Sequence, residues 1–138
     1  MKNIILVVDD DKTNLSLAQR ILGPQYRIAA CNSGSAALTY LETHRPDLIL
    51  LDINMPEMNG FEVMGKIRSN IQTESIPVIF LTADNLAETE IKCFQLGAMD
   101  FVVKPFVPDI LLSRVSKTIE LDQYRHNLET LSLIHISE

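Results

Sequence analysis

The chain has 138 residues, 46% of them hydrophobic, enough for one buried core and too few for two of ordinary size. Its apolar residues come in short blocks, no run approaches the ~18 that cross a bilayer, and no basic-then-apolar leader opens the chain, so an unprocessed cytoplasmic protein without a membrane partner is expected. The net charge of −6 with scattered Lys and Arg argues against direct nucleic-acid contact, and two cysteines without metal or redox spacing, Cys31 and Cys93, suit a reducing compartment as buried free thiols.

Residues 3–8 carry the near-continuous apolar pattern of a strand covered on both faces, and Asp9, Asp10 and Asp11 end it abruptly. Over 12–22, Leu15, Leu17, Ala18, Ile21 and Leu22 keep helical spacing, and Gly23-Pro24 closes the helix. Residues 26–31 read as a second strand. Asn32, Ser33, Gly34 and Ser35 offer N-caps to a helix carrying Ala36, Ala37, Leu38 and Leu41, expected to end near Arg45-Pro46. Residues 48–51 are a third buried strand, terminating in Asp52.

The stretch Met55-Pro56-Glu57-Met58-Asn59-Gly60 is rich in turn formers, and Phe61, Val63, Met64 and Ile67 mark the helix after it. Residues 77–81 form a fourth strand that ends at Thr82. A fourth helix is expected over 86–96, closed by Gly97, and Phe101-Val102-Val103 makes a short fifth strand before Lys104-Pro105. Pro108 stands where a helix start tolerates it. Five strands alternating with five helices predict an α/β doubly wound parallel sheet with helices on both faces, in the flavodoxin-like order 2-1-3-4-5.

The region after about residue 120 differs in kind. Leu121, Tyr124, Leu128 and Leu131 recur at alternating steps of three and four, the spacing of a coiled-coil seam. A domain over 1–120 is therefore expected to continue, over 121–138, as a helical extension toward a dimer partner or an output domain. The apolar residues Leu133, Ile134 and Ile136, whose side chains lie outside those the structure describes, are expected to be exposed and the chain to be part of a larger protein.

The unusual polar residues all fall at strand ends: Asp9 and Asp10 after the first, Asp52 after the third, Thr82 after the fourth and Lys104 after the fifth. In the order 2-1-3-4-5, the first and third strands are neighbours where the winding reverses, so these residues should share the crevice in which such sheets bind ligands. Three close carboxylates repel one another unless a cation neutralises them, and oxygen ligands without His or thiolate favour Mg²⁺, which commonly engages phosphate. Phosphoryl transfer needs positioning and neutralisation of charge on the equatorial oxygens. A metal on Asp9 and Asp10, the Lys104 ammonium and the Thr82 hydroxyl would supply these, with Asp52 as the nucleophile.

Together, Asp9-Asp10, the stretch from Asp52 through Asn54 to Gly60, Thr82-Ala83 and Lys104-Pro105-Phe106 resemble the response-regulator receiver family, over residues 1 to about 120. The resemblance implies a signalling switch rather than an enzyme with an external product. It would take a phosphoryl group onto Asp52 from a phosphohistidine on a sensor histidine kinase or phosphotransfer protein, with Mg²⁺ held by Asp10, Asp52 and the backbone carbonyl of Asn54. It also implies that Thr82 and Phe101 form a switch pair reshaping the surface of the fourth helix, fifth strand and fifth helix. A homodimer through that surface or the C-terminal helix, and a cis Lys104-Pro105 bond, are further implications. Phe101 departs mildly from the commonest pattern by lacking a hydroxyl, and Asn54 and Asp84 stand where the family tunes the lifetime of the phosphoryl group.

Singly, these residues have plainer explanations. Asp10 or Asp11 would cap the first helix, and Asp11 is assigned to that role. Lys104 alone would be a surface lysine, Thr82 a strand-end hydroxyl bonded to backbone, Phe101 a core residue, and His44, His126 and His135 solvent-facing. The rival chemistry is an enzyme. Asp9-Asp10-Asp11-Lys12-Thr13 also fits the D-x-D-x-T pattern of haloacid-dehalogenase-type phosphatases, with Asp9 as nucleophile. That family needs a later acidic pair, and after Lys104 only Asp109, Glu120, Asp122, Glu129 and Glu138 remain, none paired at a strand end. A phosphate-independent domain of the same fold would lack Asp52 or Lys104, and a flavin carrier would place backbone amides rather than acids in the first loop.

Overall fold

Strand and helix alternate from one end of the chain to the other. The computed structural model describes residues 2–136, with side chains described as far as residue 128. The elements are β1 (Ile4–Val8), α1 (Lys12–Leu22), β2 (Arg27–Cys31), α2 (Gly34–Leu41), β3 (Leu48–Asp52), α3 (Gly60–Arg68), β4 (Val78–Thr82), α4 (Ala87–Gln95), β5 (Asp100–Val103) and α5 (Pro108–Ile136). All strand pairs are parallel and the sheet order is β2-β1-β3-β4-β5, the expected doubly wound, flavodoxin-like arrangement.

Side-chain alternation along each strand divides the core in two. Leu6, Val8, Ile49, Leu51, Val78 and Phe80 face Ala37, Val63, Met64, Ile67 and Cys93 on one side of the sheet. On the other, Ile5, Val7, Leu48, Leu50, Ile79 and Leu81 face Ala18 and Leu22 of α1 and Leu111, Val115 and Ile119 of α5. Both faces of β1, β3 and β4 are thus covered, which is why their sequences read as apolar runs rather than as alternations.

The helix starts use their polar residues as the sequence suggests. Asp11 caps α1 by accepting from the Thr13 amide, Ser33 caps α2 by accepting from Ala36, and Asn59 and Glu62 form a reciprocal capping box on α3. α4 has no side-chain bond from its cap residue Leu86; instead the Asp84 carboxylate accepts from the Leu86 amide.

Some details correct the sequence expectations. α2 stops at Leu41 rather than near Arg45-Pro46, because Glu42 and Thr43 donate to Thr39 and Tyr40 in tighter turns that lead to the proline. Cys93 is buried, and desolvation pushes its thiol up to about 11, with the Asp84 charge adding to the effect. Cys31, expected to be buried, is only half-buried because β2 is an edge strand. His44 and His126 are exposed, and His135 lies outside the described side chains. No helix among the described residues is long and apolar enough to cross a membrane. Residues 121–136 begin no new element; they continue α5 without a break.

Candidate functional site

Because all five strands point the same way, their carboxyl ends lie on one rim. Strand register brings Val8 beside Leu51, Asp52 beside Leu81 and Thr82 beside Val103, so the residues that follow or end these strands are neighbours across the sheet. Main-chain bonds fix the junctions: the Asp9 amide donates to the Cys31 carbonyl at 3.1 Å, and that of Lys104 to the Thr82 carbonyl at 2.7 Å.

Four of the five predicted side chains meet there. Asp9 and Asp52 are 0% and 1% exposed, so two carboxylates are carried almost wholly out of water. Lys104 Nζ lies 3.0 Å from Asp52 Oδ1 and 3.5 Å from Asp9 Oδ2. Asp9, Asp10 and Asp52 each present an oxygen within 4.8 Å of the others, with Asp10 on the solvent side. Asp9 Oδ1 accepts from the Asp11 amide at 3.0 Å, but Asp9 Oδ2 has only the ammonium, at a distance long for a hydrogen bond. Asp52 Oδ2 has no donor at all. Buried oxygens are normally satisfied, so two adjacent exceptions point to a missing electrophilic partner.

The electrostatics follow from this crowding. Burial pushes the Asp52 carboxyl up to about 6; the Lys104 hydrogen bond opposes that shift and the Asp9 charge reinforces it. Burial pulls the Lys104 ammonium down, yet its hydrogen bond to Asp52 and the charges of Asp52 and Asp9 outweigh burial, and the net shift is upward. One ammonium cannot fully neutralise two buried carboxylates and their exposed neighbour. The donor set is all oxygen, with no thiolate or imidazole in the cluster, which fits a hard divalent cation such as Mg²⁺.

The loop after β3 is held tightly against this pocket. Gly60 donates to the Ile53 carbonyl at 2.8 Å, and a side chain there would collide with the Asp52 carbonyl. Glu57, at φ 66°, adopts the left-handed backbone that reverses the loop. The Asn54 amide approaches Asp52 Oδ1 at 3.4 Å, which brings its backbone beside the acids.

Thr82 shares the rim, but its hydroxyl is turned to its own loop, donating to the Asp84 carbonyl at 3.1 Å and accepting from the Asp84 amide at 3.2 Å. Phe101 is half-buried on β5, packs against the core and meets Phe94 of α4 edge-on, with ring centroids 6.1 Å apart. It also lines a groove with Glu90, Val103 and Ile110. Lys104-Pro105 is cis. Sequence reasoning missed the Asp84 main chain that holds Thr82, the contact of Phe94 with Phe101 and the Asp11 amide on Asp9. None of these has a residue-type signal, since two are backbone groups and the third is one phenylalanine among five.

The acidic, lysine-bridged pocket lies at the switch point of a parallel sheet, where doubly wound α/β domains bind their ligands. Residues 5–116 match the family model described as the response regulator receiver domain, and the chain belongs to that family. It is 49% identical over 111 residues to a Vibrio cholerae protein named as a probable cyclic di-GMP phosphodiesterase, covering 80% of this chain and 25% of that one. It is 38% identical over 116 residues to the DNA-binding response regulator MtrA of Mycolicibacterium smegmatis, covering 83% and 50%. Among solved structures, the chemotaxis protein CheY4 of Vibrio cholerae superposes with a TM-score of 0.81 at 29% identity, covering 86% of this chain and 99% of that one. The chain spans between a quarter and about half the length of these curated relatives. Receiver domains are phosphoacceptor signalling switches, and this chain carries one.

Proposed function

We propose that Asp52 is the phosphoryl acceptor of this switch and that a sensor histidine kinase or phosphotransfer protein is the donor. The observation that carries the reading is the pair of buried carboxylates, Asp9 and Asp52, sharing one ammonium while an oxygen of Asp52 has no donor. Asp10, Asp52 and the backbone carbonyl of Asn54 would hold Mg²⁺, with Asp9 beside them. When bound, the ion neutralises the carboxylates and the charge on the incoming phosphoryl oxygens.

In the transfer, a carboxylate oxygen of Asp52 attacks phosphorus, the phosphorus–nitrogen bond of the donor phosphohistidine breaks, and the imidazole leaves. The product is an acyl phosphate on Asp52. Lys104 keeps Asp52 oriented before transfer and neutralises phosphoryl charge after it. Hydrolysis reverses the state: water attacks phosphorus, the acyl phosphate bond breaks, and carboxylate and inorganic phosphate are released. Thr82 exchanges its bond to the Asp84 carbonyl for one to the phosphoryl group. Phe101 then turns inward, and the surface of α4, β5 and α5 changes shape. Lacking a hydroxyl, Phe101 signals by packing alone. The 49% identity to the protein named as a probable cyclic di-GMP phosphodiesterase, against 38% to MtrA, favours a cyclic-dinucleotide output over a DNA-binding one as what this receiver would regulate.

Intact-mass measurement after incubation with acetyl phosphate and Mg²⁺ tests the acceptor. The parent chain gains one phosphoryl group and Asp52→Asn gains none. Phosphorylation that survives Asp52→Asn but is lost in Asp9→Asn would transfer the role to Asp9, as in the haloacid-dehalogenase reading.

A further inference from the structure

α4 is the most lightly seated helix of the domain. Of its nine residues only Cys93 is buried, its cap residue Leu86 makes no side-chain bond, and Leu86, Ile91 and Phe94 remain exposed. Two ring contacts flank Cys93. Towards β5 the Phe94 ring meets Phe101 edge-on, and towards α3 the Lys92 ammonium lies over the Phe61 ring, 4.5 Å from its centroid. Phe61 in turn packs edge-on against the buried Phe80 of β4, with centroids 5.3 Å apart. Phe80 precedes Thr82 by two positions and so shares its face of the strand.

The Lys92 contact is not the default for an exposed lysine. Glu88 stands four residues earlier on the same helix, the favoured spacing for an ion pair, yet among the described residues Lys92 forms none. On α3, Gly65 stands four residues after Phe61 in the helix interior, where glycine is among the poorest helix formers. Nothing packs against it, since a β-carbon there would meet no atom within 4 Å. Helical side chains lean back towards the residue four earlier, so a long side chain at 65 would reach for the Phe61 ring. Glycine leaves that ring open to Lys92.

We propose that Lys92 and Phe61 are positioning residues, whose cation–π contact ties α4 to α3 in the unphosphorylated arrangement and opposes the movement of that helix. The inference rests on the Thr82 and Phe101 reading above and adds what restrains it. When Phe101 turns inward, Phe94 loses its partner and the side of α4 towards β5 is released. The Lys92 contact remains as the tie on the other side, and α4 reseats only as that tie lengthens. A contact made in one arrangement and weakened in the other biases the equilibrium by the difference between them. An exposed cation–π pair supplies a modest bias, which holds the switch off without preventing phosphorylation.

Titration of the 138-residue chain with beryllofluoride and Mg²⁺, followed through its amide resonances, tests the tie, the anion standing in for the phosphoryl group on Asp52. Lys92→Met keeps the length of the side chain and removes its charge, while Phe61→Leu keeps an apolar contact with Phe80 and removes the ring face. Each should tighten beryllofluoride binding about threefold, and the double variant no further, because both remove one contact. Lys92→Arg and Phe61→Tyr retain cation and ring and should bind like the parent, whereas Gly65→Leu should resemble Lys92→Met. A general loss of packing would lower the unfolding midpoint without producing either the non-additivity or the rescue by arginine. Affinities of Lys92→Met and Phe61→Leu equal to that of the parent, or effects that add in the double variant, overturn the proposal. None of these variants touches Asp9, Asp10, Asp52, Thr82 or Lys104, so equal affinities leave the phosphoacceptor reading standing. A parent chain that binds beryllofluoride without moving its α4 and β5 resonances would end the switch reading and this inference with it.

Discussion

The two rims of the sheet treat their polar groups in opposite ways. At the amino-terminal rim the polar side chains of Arg45, Arg68 and Thr73 find partners within the chain: Arg45 donates to the Gln72 carbonyl and the Ser75 hydroxyl, Arg68 to the carbonyls of Ile76 and Gly97, and the Thr73 hydroxyl to that of Ile67. At the carboxyl-terminal rim, Asp9 and Asp52 are buried with oxygens unsatisfied and one lysine between them. The first rim satisfies its donors and acceptors within the chain and so contributes to stability. The second holds charge that the fold alone does not neutralise, which costs stability and leaves chemistry available to a ligand.

That contrast predicts that perturbations at the two rims differ in their response to metal, and that removing a carboxylate from the second rim has the opposite sign to removing a cation from either. The largest effect is expected for Lys104→Ala, which leaves two buried carboxylates without a counter-charge and should cost about 3 kcal/mol in thermal or urea unfolding with a chelator present. Adding Mg²⁺ should recover more of that loss in the variant than it adds to the parent. Next comes Arg68→Ala at the opposite rim, which frees two carbonyls and should cost roughly 2 kcal/mol. Mg²⁺ should not recover that loss, and phosphorylation from acetyl phosphate should persist under conditions where the variant is folded.

The smallest effect has the opposite sign. With Asp52 raised to about 6 in the folded chain and near 3.9 when unfolded, the folded state holds a proton that the unfolded state lacks between those values. The stability that this group contributes is complete below about pH 4 and is lost as pH rises through about 6. Asp52→Asn removes that loss and should raise metal-free stability at pH 7 by ~1–2 kcal/mol, with the difference shrinking as pH falls toward 4. A destabilised Asp52→Asn at pH 7 would mean that the rim is neutralised by the chain itself, and the contrast would fail.

The carboxyl-terminal rim was far more legible in the sequence than the amino-terminal one. Asp9, Asp52, Thr82 and Lys104 each interrupt or close an apolar strand, and strand ends in a parallel sheet have a known common destination. Arg45, Arg68 and Thr73 carry no such mark. Their partners are mostly backbone carbonyls in loops, whose positions depend on how the helices pack rather than on residue type. The early end of α2 escaped for the same reason, because short-range turns before Pro46 compete with helix continuation. Cys31 could not be placed by its apolar neighbours, since those do not distinguish an edge strand from a central one.

The most direct measurement is chemical mapping of the modified residue. Phosphorylate the parent chain with acetyl phosphate and Mg²⁺, reduce the acyl phosphate with borohydride, and sequence the peptides by tandem mass spectrometry. The account predicts homoserine at position 52 and aspartate retained at 9, 10 and 11. Homoserine at position 9, or a phosphoryl group that survives borohydride on a hydroxyl or ring nitrogen, would contradict it.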